Sequence, residues 1–404
     1  MKIRNFYLAA ALAAFTFSAC SDNKDDDGGG GGGNNAAKLE EYSMTPEWIN
    51  YATAVSSELL DDCITLWASW AGPSAVGAKD AARLDNGIFN NTSVGANGYG
   101  VLMKSPDGTA LVSEEEVIRM ILTDGFANIS NEVGAAKIGD PNSLAKSGNT
   151  SAAVLQVESW YSWNSIIDYS DNIISIMNGY AGRRGTINAA VNTNSISAYV
   201  NSKNAALDAE VLAAIKDAYN KIQAMQAPFR NNLTGTKVDA AIEACADLTT
   251  VIEEDLMALF ENTGDDDFAD ILAQYVDEVV IPTYADMKNK AWDLYEAMVA
   301  LQADNFTQSK VDAACTAWRA VRVPWEQSEA VLFGPAGEEG GLGLDPSLDS
   351  WPLDQEEIAT MLMDSRYSTV NDYIGAIGSE SVRGFHTIEL LLFKDGQNRT
   401  VLPQ

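Results

Sequence analysis

The stretch GFHTIELLLF (384–393) holds the only histidine of the 404 residues, His386, with Glu389 three places further on. In a helix two such side chains stand roughly 5–6 Å apart on one face and can serve a single cation or substrate. Gly384, just ahead of them, lets another part of the backbone come close. A second group lies upstream in ACTAWRAVRVPWEQSEAVLFGP (314–335), which places Arg319, Arg322, Trp325, Glu326, Ser328 and Glu329 on one helix, or on two that meet at Pro324. Glu326 and Glu329 repeat the three-residue spacing, and Arg322 stands one turn before Glu326. The glycine-rich loop at 336–354 then supplies Asp345, Asp349 and Trp351. Exposed Arg–Glu pairs contribute little. Carboxylates beside buried tryptophans need arginines or a metal ion as partners.

The elements that must position these residues read as helices. Apolar residues recur at three- and four-residue intervals in 48–71, 114–133, 157–180, 207–225 and 269–301, the last carrying Pro282, which must kink or split it. Gly/Asn-rich stretches at 85–100, 134–152 and 181–196 read as loops, and no convincing alternating strand is present. The expected fold is all-α, two helical-bundle domains at 42–265 and 266–404, divided near the polar ENTGDDDF (261–268).

The N-terminus reads differently. Lys2 and Arg4, the apolar run Phe6–Phe17 and Phe-Ser-Ala-Cys ending at Cys20 form a secretory signal over 1–19, too short for a stable membrane span. It resembles a lipoprotein signal, which implies cleavage before Cys20 and lipidation there. Acid- and glycine-rich residues follow, and 20–41 read as a flexible tether. Loss of Lys2 and Arg4 takes the formal charge from −31 to −33. Such a surface repels nucleic acid and attracts cations. Cys63, Cys245 and Cys315, odd in number and without CxxC spacing, fit small buried residues better than a disulfide framework or thiolate site.

Taken together, WRAVRVPWEQSEAVLFGP, DPSLDSWPLD and GFHTIELLLF resemble the imelysin family, also described as insulin-cleaving membrane proteases or iron-regulated protein A-like proteins. The family's GxHxxE signature is met by Gly384, His386 and Glu389. The resemblance implies metal ligation by His386, Glu389, Asp349 and Glu326 or Glu329, with Arg319, Arg322, Trp325 and Ser328 around them. YSWNSIIDYSDNIISIMNGY is similar to a further family segment and adds Ser165, Asp168 and Asn172 as supporting residues. The NSxxD half precedes the GxHxxE half here, the reverse of the usual family order, so the resemblance implies a circularly permuted arrangement.

Zinc peptidases of the HExxH and HxxEH types place two histidines on one helix. This chain has one, and Leu390 stands where the inverted motif needs the second. A single imidazole among carboxylates suits iron, and also manganese, calcium or zinc, by ligand hardness. The leading expectation is a lipid-anchored metal-binding protein of the Gram-negative outer membrane, facing the surface or the periplasm. It would serve iron uptake alongside membrane components and bind no nucleic acid. A metallopeptidase using His386 and Glu389 is the alternative, and a helical surface scaffold without metal the third reading. Cys20→Ser is expected to move the protein out of the membrane fraction; an unlipidated mature start elsewhere, by intact mass, would refute the anchor.

Overall fold

The computed structural model describes residues 35–401 apart from 107, 109–110, 262, 264–266, 304–305 and 338–340. Cys20, the signal and most of the acidic tether lie outside the described residues, as does the centre of the expected division near 265. Seven longer helices carry the architecture: α1 (Pro46–Ala71), α2 (Ser165–Ala181), α3 (Ala205–Gln223), α4 (Thr236–Thr250), α5 (Ile281–Ala303), α6 (Gln308–Glu326) and α7 (Gly384–Leu392). The all-α expectation holds: the strands among the described residues are a two-residue hairpin, β1 (Phe393–Lys394) with β2 (Gln397–Asn398). No helix among the described residues is long and apolar enough to cross a membrane.

α1 lies along α5, α5 along α6, and α7 is wedged against α1 and α6. α6 also meets α2, which packs on α3, and α3 on α4. The buried apolar side chains form one contiguous cluster through all of these, so the chain before and after residue 265 shares a core. Cys63, Cys245 and Cys315 are buried free thiols on α1, α4 and α6.

Helix α7 is buried along its whole length. A buried helix end leaves carbonyl groups that need donors. Trp48 and Arg399 supply them, Trp48 Nε1 donating to the Leu391 carbonyl at 2.8 Å and Arg399 Nε to that of Leu390 at 3.0 Å. Trp318 Nε1 donates to the Phe385 carbonyl at 3.0 Å and ties the other end to α6. Tryptophans therefore hold the histidine-bearing helix in place from both sides.

Several local readings change. The segment 157–180 is helical only from Ser165, because 157–164 is a tight loop with Ser159 and Trp163 at positive φ. The stretch 134–152, read as loop, is mostly helical and opens with wide π-helical turns over Glu132–Gly139. Pro282 neither splits nor stops its helix: π-helical turns at Val276–Val280 precede it and absorb the missing donor. Pro324 sits inside one helix, α6, two residues before its end. Residues 35–41, expected as tether, pack on the body, since Leu39 is buried and Glu40 pairs with Arg399 at 2.9 Å.

Gly384 has φ +81°, and a Cβ there would stand 2.4 Å from the Leu348 carbonyl oxygen. The close approach ties the start of α7 to the segment bearing Asp349. Gly384→Ala combines left-handed strain with a backbone clash and is expected to cost about 2–3 kcal/mol. Chemical denaturation reads this loss, and an unchanged midpoint would show that the approach is not required.

Candidate metal centre

Where α2, α6 and α7 meet, acidic side chains converge, with Glu326 and Asp168 fully buried and Glu158, Glu329 and Asp349 nearly so. His386 projects from α7 with no exposed surface. Its Nδ1 lies 3.0 Å from Glu389 Oε2, as the i, i+3 spacing implies. Glu389 Oε1 in turn accepts from Ser162 N at 2.8 Å and Ser162 Oγ at 2.7 Å. Glu389 therefore stands behind the imidazole. It fixes the proton on Nδ1 and aims Nε2 the other way, as carboxylates behind ligating histidines do.

Nε2 faces Asp349 Oδ1 at 3.1 Å and Glu158 Oε1 at 3.7 Å, and makes no directed hydrogen bond to either. Asp349 ends the short helix Asp345–Asp349, and its Oδ2 accepts from Trp325 Nε1 at 2.6 Å. Trp351, just beyond, sets its ring 5.1 Å from the imidazole, edge to face. Glu158 comes from the tight loop, whose backbone is held by Ser165 Oγ donating to the Glu158 carbonyl at 2.6 Å.

A single guanidinium sits among these acids. Arg322 donates to Glu158 at 2.9 Å, to Asp168 at 3.3 Å and to Asp349, and it abuts Glu326 one turn along α6. Lys137 is the second cation, 3.0 Å from Glu158 Oε2 and 3.5 Å from Glu329 Oε2, with Glu132 at 3.8 Å. Glu132 and Lys137 are five residues apart, the spacing that π-helical turns bring to one face. Asn172 donates to Glu326 Oε2 at 2.5 Å, and Asn164 to Asp168 Oδ1 at 2.5 Å.

The acids divide into those whose cationic partners overcome burial and those for which burial wins. Burial alone would raise Glu158, but Lys137 and His386 pull it down to about 2. Burial likewise opposes ionisation of Asp349, and Arg322 and His386 hold it well below the usual carboxylate range. For Asp168 burial wins over Arg322 and lifts it to about 6. Burial raises Glu326 and Glu329 well above the ordinary value, against Arg322 and Lys137 respectively. Burial would lower His386, yet Asp349, Glu158 and Glu389 together hold it well above 6.5. An imidazole held up in this way faces two carboxylates held down, so a proton and a cation would compete for Nε2.

The structure brings His386, Asp349, Glu326, Glu329, Arg322, Trp325, Asp168 and Asn172 into one cluster. Glu389 lies on the Nδ1 side of His386, whereas Asp349 and Glu158 lie on the Nε2 side. Arg319 pairs with no carboxylate of the centre; it donates to Asn164 Oδ1 at 2.9 Å and to the Ser162 carbonyl at 3.0 Å, holding the loop. Ser328 caps the Trp325 carbonyl at 2.6 Å, and Ser165 acts on the loop backbone. Sequence reasoning missed Glu158, Lys137 and Glu132. The available signal for Glu158 was its place in the aromatic segment, seven residues before Ser165.

The family model described as Imelysin, labelled a peptidase family, matches residues 24–254 and 280–402. The chain belongs to the imelysin family. It is similar to the crystal structure of an imelysin peptidase from Bacteroides ovatus, with 36% identity, a TM-score of 0.76 and coverage of 89% of this chain and 98% of that one. It is also 35% identical over 119 residues to Iron-regulated protein A of Synechococcus elongatus, a match spanning 30% of either chain.

Removing Arg322 would strand several buried negative charges. Arg322→Met is expected to cost about 3–5 kcal/mol at neutral pH. The penalty should shrink on acidification, because the stranded carboxylates then have raised folded-state pKa values and refill with protons. Denaturant midpoints at pH 7.5 and pH 5 test this; equal losses at both would show that charge is not the cause.

Proposed function

We propose that this imelysin-family protein binds a metal ion, iron foremost, at His386, Asp349 and Glu158, and serves iron uptake outside the cytoplasm. The observation that carries the reading is the fully buried imidazole whose Nδ1 is committed to Glu389 while its Nε2 faces two carboxylates without a directed hydrogen bond. Ligand atoms of the three residues lie within 4.8 Å of one another. One nitrogen among oxygens suits iron or manganese, with zinc or calcium also accommodated. The relative's name, Iron-regulated protein A, supports an iron-related role. Export, the lipid anchor at Cys20, an outer-membrane location and the permuted order of the halves belong to the same proposal. The order is checked by superposing 269–404 on the first half of a family member with the usual arrangement.

The family's peptidase label gives the second activity to assay. Complete burial of His386 and near-complete burial of Glu158 suit a small cation better than a peptide backbone. Bound metal would supply Lewis acidity. The chain's own residues hold the ligands in place: Glu389 orients the imidazole, Ser162 orients Glu389, and Arg322 with Trp325 fixes Asp349.

Wild type is expected to bind Fe²⁺ in anaerobic titration, His386→Ala to lose binding, and Glu389→Gln to weaken it about 10–100-fold. Because His386 must release the proton that its raised pKa favours, affinity should climb with pH by about tenfold per unit for each proton displaced. Equal binding by wild type and His386→Ala would overturn the site, as would an affinity indifferent to pH.

A further inference from the structure

The centre is not closed evenly. The side chains of Arg322, Glu326, Glu389 and His386 have no exposed surface. Glu158 is 8% exposed, Lys137 11% and Glu132 27%, so solvent meets the centre on the side of the π-helical turns Glu132–Gly139. Lys137 stands on that side, its Nζ 3.0 Å from Glu158 Oε2, 3.5 Å from Glu329 Oε2 and 3.8 Å from Glu132 Oε1. The contact with Glu158 matters most, because Glu158 Oε1 faces His386 Nε2 at 3.7 Å. One carboxylate thus serves the ammonium with its outer oxygen and the ligand position with its inner one. Burial would raise Glu158, and Lys137 leads the groups that pull it down. A divalent ion at Glu158 would stabilise the same charge, and it would be repelled by an ammonium left in place.

We propose that Lys137 is an exchangeable counter-ion: its ammonium neutralises Glu158 in the ion-free protein, and a divalent cation arriving at Glu158 displaces it outward onto Glu132. This rests on the metal-binding reading above and adds how the site is kept neutral and how it fills. Lys137 has somewhere to go. A lysine ammonium is a compact charge on a flexible stem, with no fixed fork of donors to satisfy. Glu132 is the most exposed of its three acids and shares its helical turns, so moving there keeps an ion pair and regains water. Arg322 has no such exit, being fully buried among four carboxylates. The two cations of the centre therefore differ in kind, one fixed and one able to leave. The exchange also selects by charge. A monovalent cation offers Glu158 no more than the ammonium already does, whereas a divalent one offers twice the charge.

Acetic anhydride labelling of the full-length protein, read lysine by lysine by peptide mass spectrometry, follows the ammonium directly, with Mn²⁺ as the probe. Lys137 should acetylate slowly in chelator-stripped wild type and about tenfold faster once Mn²⁺ is bound, as its amine moves into water. Lys288, whose 2.7 Å pair with Asp80 involves none of the centre's acids, is the internal control and should not change. Titration at pH 8 gives the second readout. Lys137→Gln should bind Mn²⁺ about tenfold tighter than wild type, because no ammonium has to leave, whereas Lys137→Arg keeps the charge and should bind no tighter. The labelling needs only wild type, so it decides the matter even if Lys137→Gln does not fold. Wild type that binds Mn²⁺ while Lys137 stays as unreactive as before would overturn the exchange and leave the His386 site standing. A folded Lys137→Gln that binds no tighter would do the same. No Mn²⁺ bound by wild type or by either variant would defeat the metal site and the exchange together.

Discussion

A guanidinium with no exposed surface, touching four carboxylates, sets the terms for the rest of this molecule. Arg322 is out of water, so its charge must be met by protein, and each acid that meets it must be brought there by a different segment. Glu158 and Asp168 come from the tight loop and α2, Glu326 from α6 itself, and Asp349 from the short helix before Trp351. Burying that many charges is favourable only if geometry and hydrogen bonds are nearly complete. The surrounding order serves this need. Trp325 holds Asp349, Asn164 holds Asp168, Asn172 holds Glu326, and Arg319 holds the loop that presents Glu158.

The same arrangement separates two roles that carboxylates can take beside one imidazole. Glu389, supplied with donors by Ser162, acts on the side of the ring away from the cluster. Asp349 and Glu158 act on the other. A histidine placed between two such sets has its tautomer decided by the fold, and the nitrogen left over is the one offered to a ligand. Lys137 then balances the side of the cluster that Arg322 does not reach.

The helix bearing His386 and Glu389 was legible because its glycine, histidine, glutamate and apolar run all point to one buried face. The α6 segment was legible for a similar reason, since arginines and glutamates at one-turn spacing accompany tryptophans. Glu158 was hidden because the aromatic periodicity of 157–180 runs unbroken across the true helix start at Ser165. The turn before it depends on positive φ at Ser159 and Trp163, which neither residue type advertises. Lys137 and Glu132 were hidden because their five-residue spacing matches π-helical turns, whereas a search for periods near 3.6 passes over them. The role of Glu389 could not be read from spacing, because i, i+3 neighbours can share a ligand or support one another equally well.

The depth at which α7 is embedded has a kinetic meaning. His386 and Glu158 are 228 positions apart in the chain and meet only when α7 has docked between α1 and α6. Contacts closing loops of that span form late, because the chain entropy of closure must be met before they contribute. Arg322 and Glu158 are 164 positions apart, whereas α6 meets α7 across 67 and His386 meets Asp349 across 37. The half of the cluster built from α6, Asp349 and α7 therefore closes over shorter loops than the half that needs Glu158 and Asp168, and the tight loop bearing Glu158 is the piece whose arrival completes it.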